Sequence, residues 1–140
     1  MQKGISKATQ TLHWPVLCLS IVSAMFVWSF ISPHDRFTWF LESLPVMIVI
    51  PLLLLTYQRF PLTNLLYTLI AIHCIILLIG GHYTYAKVPF FDFLTDYFHF
   101  SRNHYDRIGH LAQGFVPAIA IRELLLRTSP LKPGKWLCAI

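Results

Sequence analysis

Charge is scarce in this sequence. Asp, Glu, Lys and Arg make up 12% of its 140 residues, about half of the roughly 25% usual in soluble domains. Hydrophobic residues supply 56% and mean hydropathy is positive, which excludes an ordinary soluble domain and points to an integral membrane protein. A basic face is also missing. The formal charge is +5, but the Lys and Arg residues stand singly between apolar blocks. That excludes nucleic acid as a partner and leaves these residues to orient the chain in a bilayer. Cysteines are few and odd in number. Cys18, Cys74 and Cys138 all lie in apolar segments without a CxxC pair, so there is no disulfide framework and no thiolate zinc site; they read as small core or lipid-facing residues. Neither HExxH nor GxSxG occurs, which removes two common hydrolase signatures. "SRNHYDRIGH" has the Ser-Arg…His look of a lipid phosphatase motif, but the spacing is wrong and no Pro-Ser-Gly-His follows. No small-x-small cleavage pattern ends the first apolar run, so Lys3 and Lys7 lead into an uncleaved transmembrane helix.

Long apolar runs are what the sequence has in abundance. A helix crossing the hydrocarbon core needs about 20 mostly apolar residues, and four segments qualify. They cover about 14–31, 37–56, 62–81 and 110–127. The second contains Pro45 and Pro51 and the fourth Pro117, which a membrane helix tolerates where neighbouring groups satisfy the freed carbonyls. A fifth run, "WLCAI", stops at Ile140. The expected fold is therefore all-α: one integral membrane domain over 1–140, a polytopic transmembrane helix bundle. It has four spanning helices, an outer interfacial helix over about 89–101, and an incomplete fifth span. No internal repeat or low-complexity segment occurs.

Orientation follows from Lys and Arg in the short loops. With the N-terminus inside, the cytoplasmic side carries Lys3, Lys7, Arg59, Arg127, Lys132 and Lys135, and the other side Arg36, Lys87, Arg102 and Arg107. The bias, six to four, favours both chain ends in the cytoplasm; the reverse orientation is the alternative. It gathers His34, Asp35, Glu42, His82, Asp92, Asp96, His99, His104, Asp106 and His110 on the outer side. Trp14, Trp28, Trp39 and Trp136 then fall near helix ends, as an interfacial belt would.

"KVPFFDFLTDYFHFSRNHYDRIGH" has a helical period. Asp92, Asp96, His99, Asn103, Asp106, His110 and Gln113 follow one another at spacings of four and three, so they share a face, opposite Phe93, Leu94, Tyr97, Tyr105, Ile108 and Leu111. Ser101–Asn103 predicts a bend, with Asn103 capping a new helix and Asp106 in its first turn. Two readings share this face. One is an interfacial helix with its carboxylates and histidines in water. It accounts for 90–103 but less well for His110 and Gln113, where a spanning helix enters the membrane and polar residues are costly. The other is a chemical site. Asp106 and His110, at i and i+4, can reach one point, as a divalent metal or a carboxylate-oriented histidine would need. His104 points about 120° away on an ideal helix and needs the bend, or His82 across from it, to join; Gly80 and Gly81 allow the close approach. Glu42 is a further candidate for the cluster. His73 reads as a hydrogen-bonded packing residue, Arg122 as a snorkelling one, and Glu123 with Arg127 as a helix pair.

"GGHYTYAKVPFFDF", "RNHYDRIGHLAQGF" and "AIRELL" together resemble the YjdF-type inner-membrane proteins of bacteria, a domain family without an assigned reaction. The resemblance runs from about the first span to the loop after the fourth. It implies a small polytopic protein of the bacterial inner membrane and carries no catalytic role to any residue here. It also implies that family members continue into two more helices with an acidic Gly-Asp…Trp-Asp stretch, so a protein shortened at its C-terminus is expected.

Two functions of different class follow. In the first, His82, His104, Asp106 and His110 hold a divalent metal ion or do chemistry at the outer face, and Arg102 and Arg107 receive a lipid-linked or anionic small substrate. In the second, the chain is a non-catalytic accessory or small transporter-like protein whose polar cluster is structural. The sequence leaves open whether it is an enzyme.

Overall fold

The computed structural model describes residues 12–131, 133 and 134. These form five helices and, among the described residues, no strand: α1 (His13–Phe30), α2 (Arg36–Thr56), α3 (Asn64–Tyr83), α4 (Pro89–Phe98) and α5 (Tyr105–Thr128). The long apolar runs locate α1, α2, α3 and most of α5, and the amphipathic period locates α4. The short "WLCAI" segment, with Trp136 and Cys138, lies outside the described residues.

The fold is organised around α3, which packs against α1, α2 and α5. Its sequence is apolar on every side, the pattern of a helix surrounded by apolar material. Leu66, Tyr67, Cys74, Leu77, Leu78, Gly80 and Gly81 are buried along it. Val22 of α1 and Val46 of α2 complete the central cluster with Cys74, Leu77 and Leu78. The outward faces are equally apolar but uncovered, with Leu55 80% and Phe37 71% exposed. A soluble protein rarely leaves so much contiguous apolar surface in water; hydrocarbon is the solvent that suits it. α1, α2 and α3 are each long and apolar enough to cross a membrane.

α5 differs. At 24 residues it is about 36 Å long at 1.5 Å per residue, more than sufficient. Yet only eight residues, Gly114–Ile121, separate Gln113 from Arg122, and it is not among the helices apolar enough to qualify as a span. Four spans were expected and three helices meet the requirement on composition. α5 also starts at Tyr105 rather than near 110, and α4 ends at Phe98 rather than near 101. Trp39 is not a belt residue. It is buried at 6% exposure, and its indole donates to Ser29 Oγ at 3.1 Å, between α2 and α1.

Side chains cap the N-termini of α2 and α3, where unpaired backbone N–H groups need partners. Asp35 caps α2, its carboxylate accepting from Thr38 N at 2.6 Å. Thr63 caps α3 through Leu66 N and is itself gripped by α5. Glu123 accepts from Thr63 N at 3.0 Å and from Thr63 Oγ1 at 2.7 Å, while Arg127 donates to Glu123 and to Pro61 O and lies over the Phe60 ring. The expected Glu123–Arg127 pair is thus part of a clamp between α5 and the start of α3. At the opposite end, His34 N donates to His82 O at 2.9 Å, and the Lys87 ammonium donates to His34 Nε2 at 2.7 Å.

The most constrained turn follows α3. Thr84 and Tyr85 both take left-handed backbone angles (φ 56° and 54°), uncommon for residues with a side chain, and Tyr85 N donates to Gly80 O. The chain thereby folds the Tyr85 ring back onto Gly80 of α3 and Gly109 of α5. A Cβ at Gly80 would overlap the ring, and one at Gly109 would stand 2.7 Å from it. Gly81 likewise lets α2 approach, since its Cβ would lie 3.2 Å from that of Glu42.

Gly109→Ala should therefore lower stability by about 1–3 kcal/mol, the usual range for overpacking, read as a reduced thermal midpoint in detergent, and Gly109→Ala with Tyr85→Ala should lose less than the sum of the two single variants. The Thr38 N–H holds the Asp35 carboxyl below its ordinary value of 3.8. A depressed carboxyl stabilises the fold above its unfolded value, and that contribution fades as pH falls through the folded one. Asp35→Ala should consequently melt earlier than the parent at pH 6, and the gap should narrow below about pH 3.8.

Candidate functional site

A polar pocket of about 60 Å³ opens where α2, the turn after α3 and α5 meet; Glu42, Tyr85, Asp106, Gly109, His110 and Gln113 line it. The period of α5 brings Asp106, His110 and Gln113 to this side, as their spacing predicts. Asp106 and His110 pair at 3.2 Å between Oδ1 and Nε2. Their side chains are 47% and 72% exposed, so water screens the pair and its contribution to stability is small. α2 contributes Glu42 from the opposite wall, placed by the Gly81 contact.

Tyr85 supplies the wall between them. Its hydroxyl is buried and has no hydrogen-bond partner among the described residues. Burial pushes the phenol's pKa well above its ordinary value, and the nearby charge of Glu42 adds to the effect. Glu42 is thus within electrostatic reach without forming a bond of regular geometry. The phenol remains protonated at any ordinary pH, a hydrogen-bond donor kept dry beside two carboxylates. An unsatisfied buried donor is costly, and a ligand oxygen or a water in the pocket would satisfy it.

The other expected site residues go elsewhere. His82 lies at the end of α3, stacked on Trp28 at 4.5 Å, and its Nδ1 donates to Ser29 O at 3.0 Å; both contacts hold α3 to α1. His104 immediately precedes α5, edge-on to Phe100, with a buried and unpartnered Nδ1. Arg102 and Arg107 are exposed on either side of it. His73 Nε2 is buried without a partner, so the hydrogen bond expected of it is not formed among the described residues. Among the described residues no group of three or more His, Cys, Asp or Glu side chains lies close enough to hold a metal ion directly.

Asn103 holds the entrance together. Its amide donates to Val88 O at 3.2 Å and Asp92 Oδ1 at 2.7 Å, and its carbonyl accepts from Tyr105 N at 3.0 Å. One side chain thereby joins the first turns of α4 and α5 across the expected bend, with His99 left-handed at the end of α4. Tyr105 then fixes α5 to α3 by donating to Ile76 O at 2.9 Å. The role of Tyr85 in shaping the site was not evident beforehand; Asn103 was expected at the start of α5, but its bonds back to Val88 and Asp92 were not. The signal for Tyr85 was the pair of glycines, Gly80 and Gly109, that its ring requires.

The family model described as "Predicted membrane protein (DUF2238)" matches residues 14–140. The chain belongs to this family. It is similar to the inner membrane protein YjdF of Escherichia coli (strain K12), with 49% identity over 121 residues, 85% of this chain and 58% of that protein. The chain thus spans 58% of the length of the curated relative it matches. No solved structure matches it. The resemblance carried by "RNHYDRIGHLAQGF" therefore identifies the family of this chain.

Replacing Asn103 should disturb this end selectively. Asn103→Ala removes three hydrogen bonds and should cost about 1–3 kcal/mol. Asn103→Asp, which removes the two donors and sets a carboxylate against Asp92, should cost at least as much; detergent melting curves of the two variants test the order.

Proposed function

We propose that the chain is a multi-pass protein of the bacterial inner membrane that binds a small hydrated cation in the Glu42–Asp106–His110 pocket at its outer face. The inner-membrane placement rests on the family and on the name of the Escherichia coli relative. In this reading α1, α2, α3 and α5 all cross the bilayer. α5 reaches α3 at Thr63 through Glu123 and at Ile76 through Tyr105, so it runs through much of the depth that α3 occupies. α4 lies in the outer interface, where its exposed Phe90, Phe93, Tyr97 and Phe98 enter the lipid boundary and Asp92 and Asp96 meet water. Both chain ends are cytoplasmic, following the loop bias in Lys and Arg.

The observation that carries the proposal is the pocket itself, with carboxylates on two helices, a histidine, an amide and a buried, unsatisfied phenol around one small cavity. Two carboxylates attract a cation, and the cavity has room for an ion with part of its water shell. Hard divalent ions are commonly held this way, by one or two carboxylates with the remaining positions filled by water. Such a shell suits a site without three converging protein ligands. His110 joins as ligand or as base, Tyr85 donates to a bound water, and Arg102 and Arg107 are the cations available to the phosphate of a lipid-linked substrate. His82 and His104 enter only if the α3 and α5 ends rearrange.

The second reading is a structural cluster in an accessory or transporter-like protein, and the Asn103 and Tyr105 bonds favour it. Elemental analysis of the detergent-solubilised protein, dialysed against magnesium or manganese, separates the two. The cation site predicts one ion per chain, lost from Asp106→Ala and reduced in Glu42→Gln, with melting temperatures near that of the parent. No ion in the parent, with both variants destabilised, would establish the structural reading.

A further inference from the structure

At the end of the bundle opposite the Glu42–Asp106 pocket lies a second cavity, a cleft of about 210 Å³ between α1 and α2. α3 forms its floor with Tyr67, Ile70, Ala71 and Cys74. The cleft exists because α1 and α2 each pack on α3 but are joined to one another at the far end, where Trp39 meets Ser29, Phe26 and Phe30. Its walls are mostly aliphatic, with Cys18, Cys74, Tyr57, Tyr67 and Gln58 as the residues carrying polar or sulfur atoms. Along α1 it runs from Leu12 to Val22, about 15 Å at 1.5 Å per residue.

Width and chemistry select the occupant. A helix with its side chains is about 10–12 Å across, too broad for a cleft of this volume, which disfavours a second copy of the chain. Residues 1–11, "MQKGISKATQT", hold Met1 and Ile5 as their only large apolar side chains and cannot line 15 Å of hydrocarbon wall, a length that itself is about ten residues of helix. A single hydrocarbon chain suits both the narrow section and the apolar walls. At the end marked by Tyr57 and Gln58, the next residue is Arg59, which is exposed and has no side-chain partner among the described residues. A guanidinium there complements a phosphate, which it can grip with two parallel hydrogen bonds. We propose that this cleft binds one acyl chain of an anionic phospholipid, with the phosphate at Arg59.

Native mass spectrometry of the delipidated full chain in detergent, titrated with phosphatidylglycerol or phosphatidylcholine, tests this. The first phosphatidylglycerol should bind at least about tenfold more tightly than later ones, a preference that comes from close packing in the cleft and from the Arg59 contact, since the acyl chain moves from one hydrocarbon environment to another. Val16→Trp, which fills the cleft from its half-exposed rim, and Ala71→Trp, which fills it from the floor, should each abolish that preference. Arg59→Gln should weaken the first phosphatidylglycerol step about threefold, the scale of a partly exposed charge pair, and leave phosphatidylcholine unchanged. Leu55→Trp, on the outward face of α2, should change neither. Phosphatidylglycerol binding to a folded Val16→Trp protein as tightly as to the parent would overturn the proposal. So would a dimer that Val16→Trp dissociates, which would assign the cleft to a second copy, or a first tight site that appears only when residues 2–11 are removed, which would assign it to that segment. The ion content of the polar pocket is a separate measurement, so neither result decides the other.

Discussion

The polar end of this protein depends on one aromatic ring held between two glycines. Tyr85 rests on Gly80 and Gly109, and this contact sets the spacing between α3 and α5 at the level of Asp106 and His110. Two successive left-handed residues are needed to fold the chain back far enough, a conformation that costs of order 1–3 kcal/mol per residue. Apolar contact with both helices and with Tyr105, at 5.8 Å between ring centres, offsets that cost. The same placement buries the phenol oxygen near Glu42 without a hydrogen-bond partner of regular geometry among the described residues. Packing and polarity at this end are therefore one constraint: a smaller side chain at 85 would loosen the helices, and a larger one at 80 or 109 would displace the ring from the pocket.

The fold was largely legible because three of its helices are long, apolar and separated by short polar loops, and because the α4 face has an unambiguous period. The bend before α5 was legible from Ser101 and Asn103, whose side chains compete for backbone groups. Asn103 does so by accepting from Tyr105 N while its amide reaches back to α4. The span count was not legible to the same degree. α5 mixes eight consecutive residues without polar side chains with Arg122, Glu123 and Arg127, and only tertiary contacts reveal that Glu123 and Arg127 serve the start of α3.

The site was half legible for a related reason. Spacing within one helix is fixed by its period, so the pairing of Asp106 with His110 followed from sequence. Spacing between helices is not, and the expectation that His82 stands beside His104 had no such support. His82 instead stacks on Trp28 and donates to Ser29, a histidine used as a bracket between α1 and α3. Glu42 reaches the pocket because Gly81 lets α2 come close, which is a property of backbone separation and leaves little trace in hydropathy.

The way α1 and α2 share a partner has a consequence in time. The two helices meet at the Trp39 end and diverge toward the other, so their mutual attachment resembles a hinge more than a seam. Synthesis delivers both before α3, the helix on which each of them packs. The arrival of α3 supplies the floor on which both come to rest, and the arrival of α5, with Glu123 gripping Thr63, fastens α3 in turn. The earlier helices therefore wait on later elements of the chain: α1 and α2 rest on α3, α3 is fastened by α5, and a chain halted before α3 would present the membrane with an unlatched hairpin.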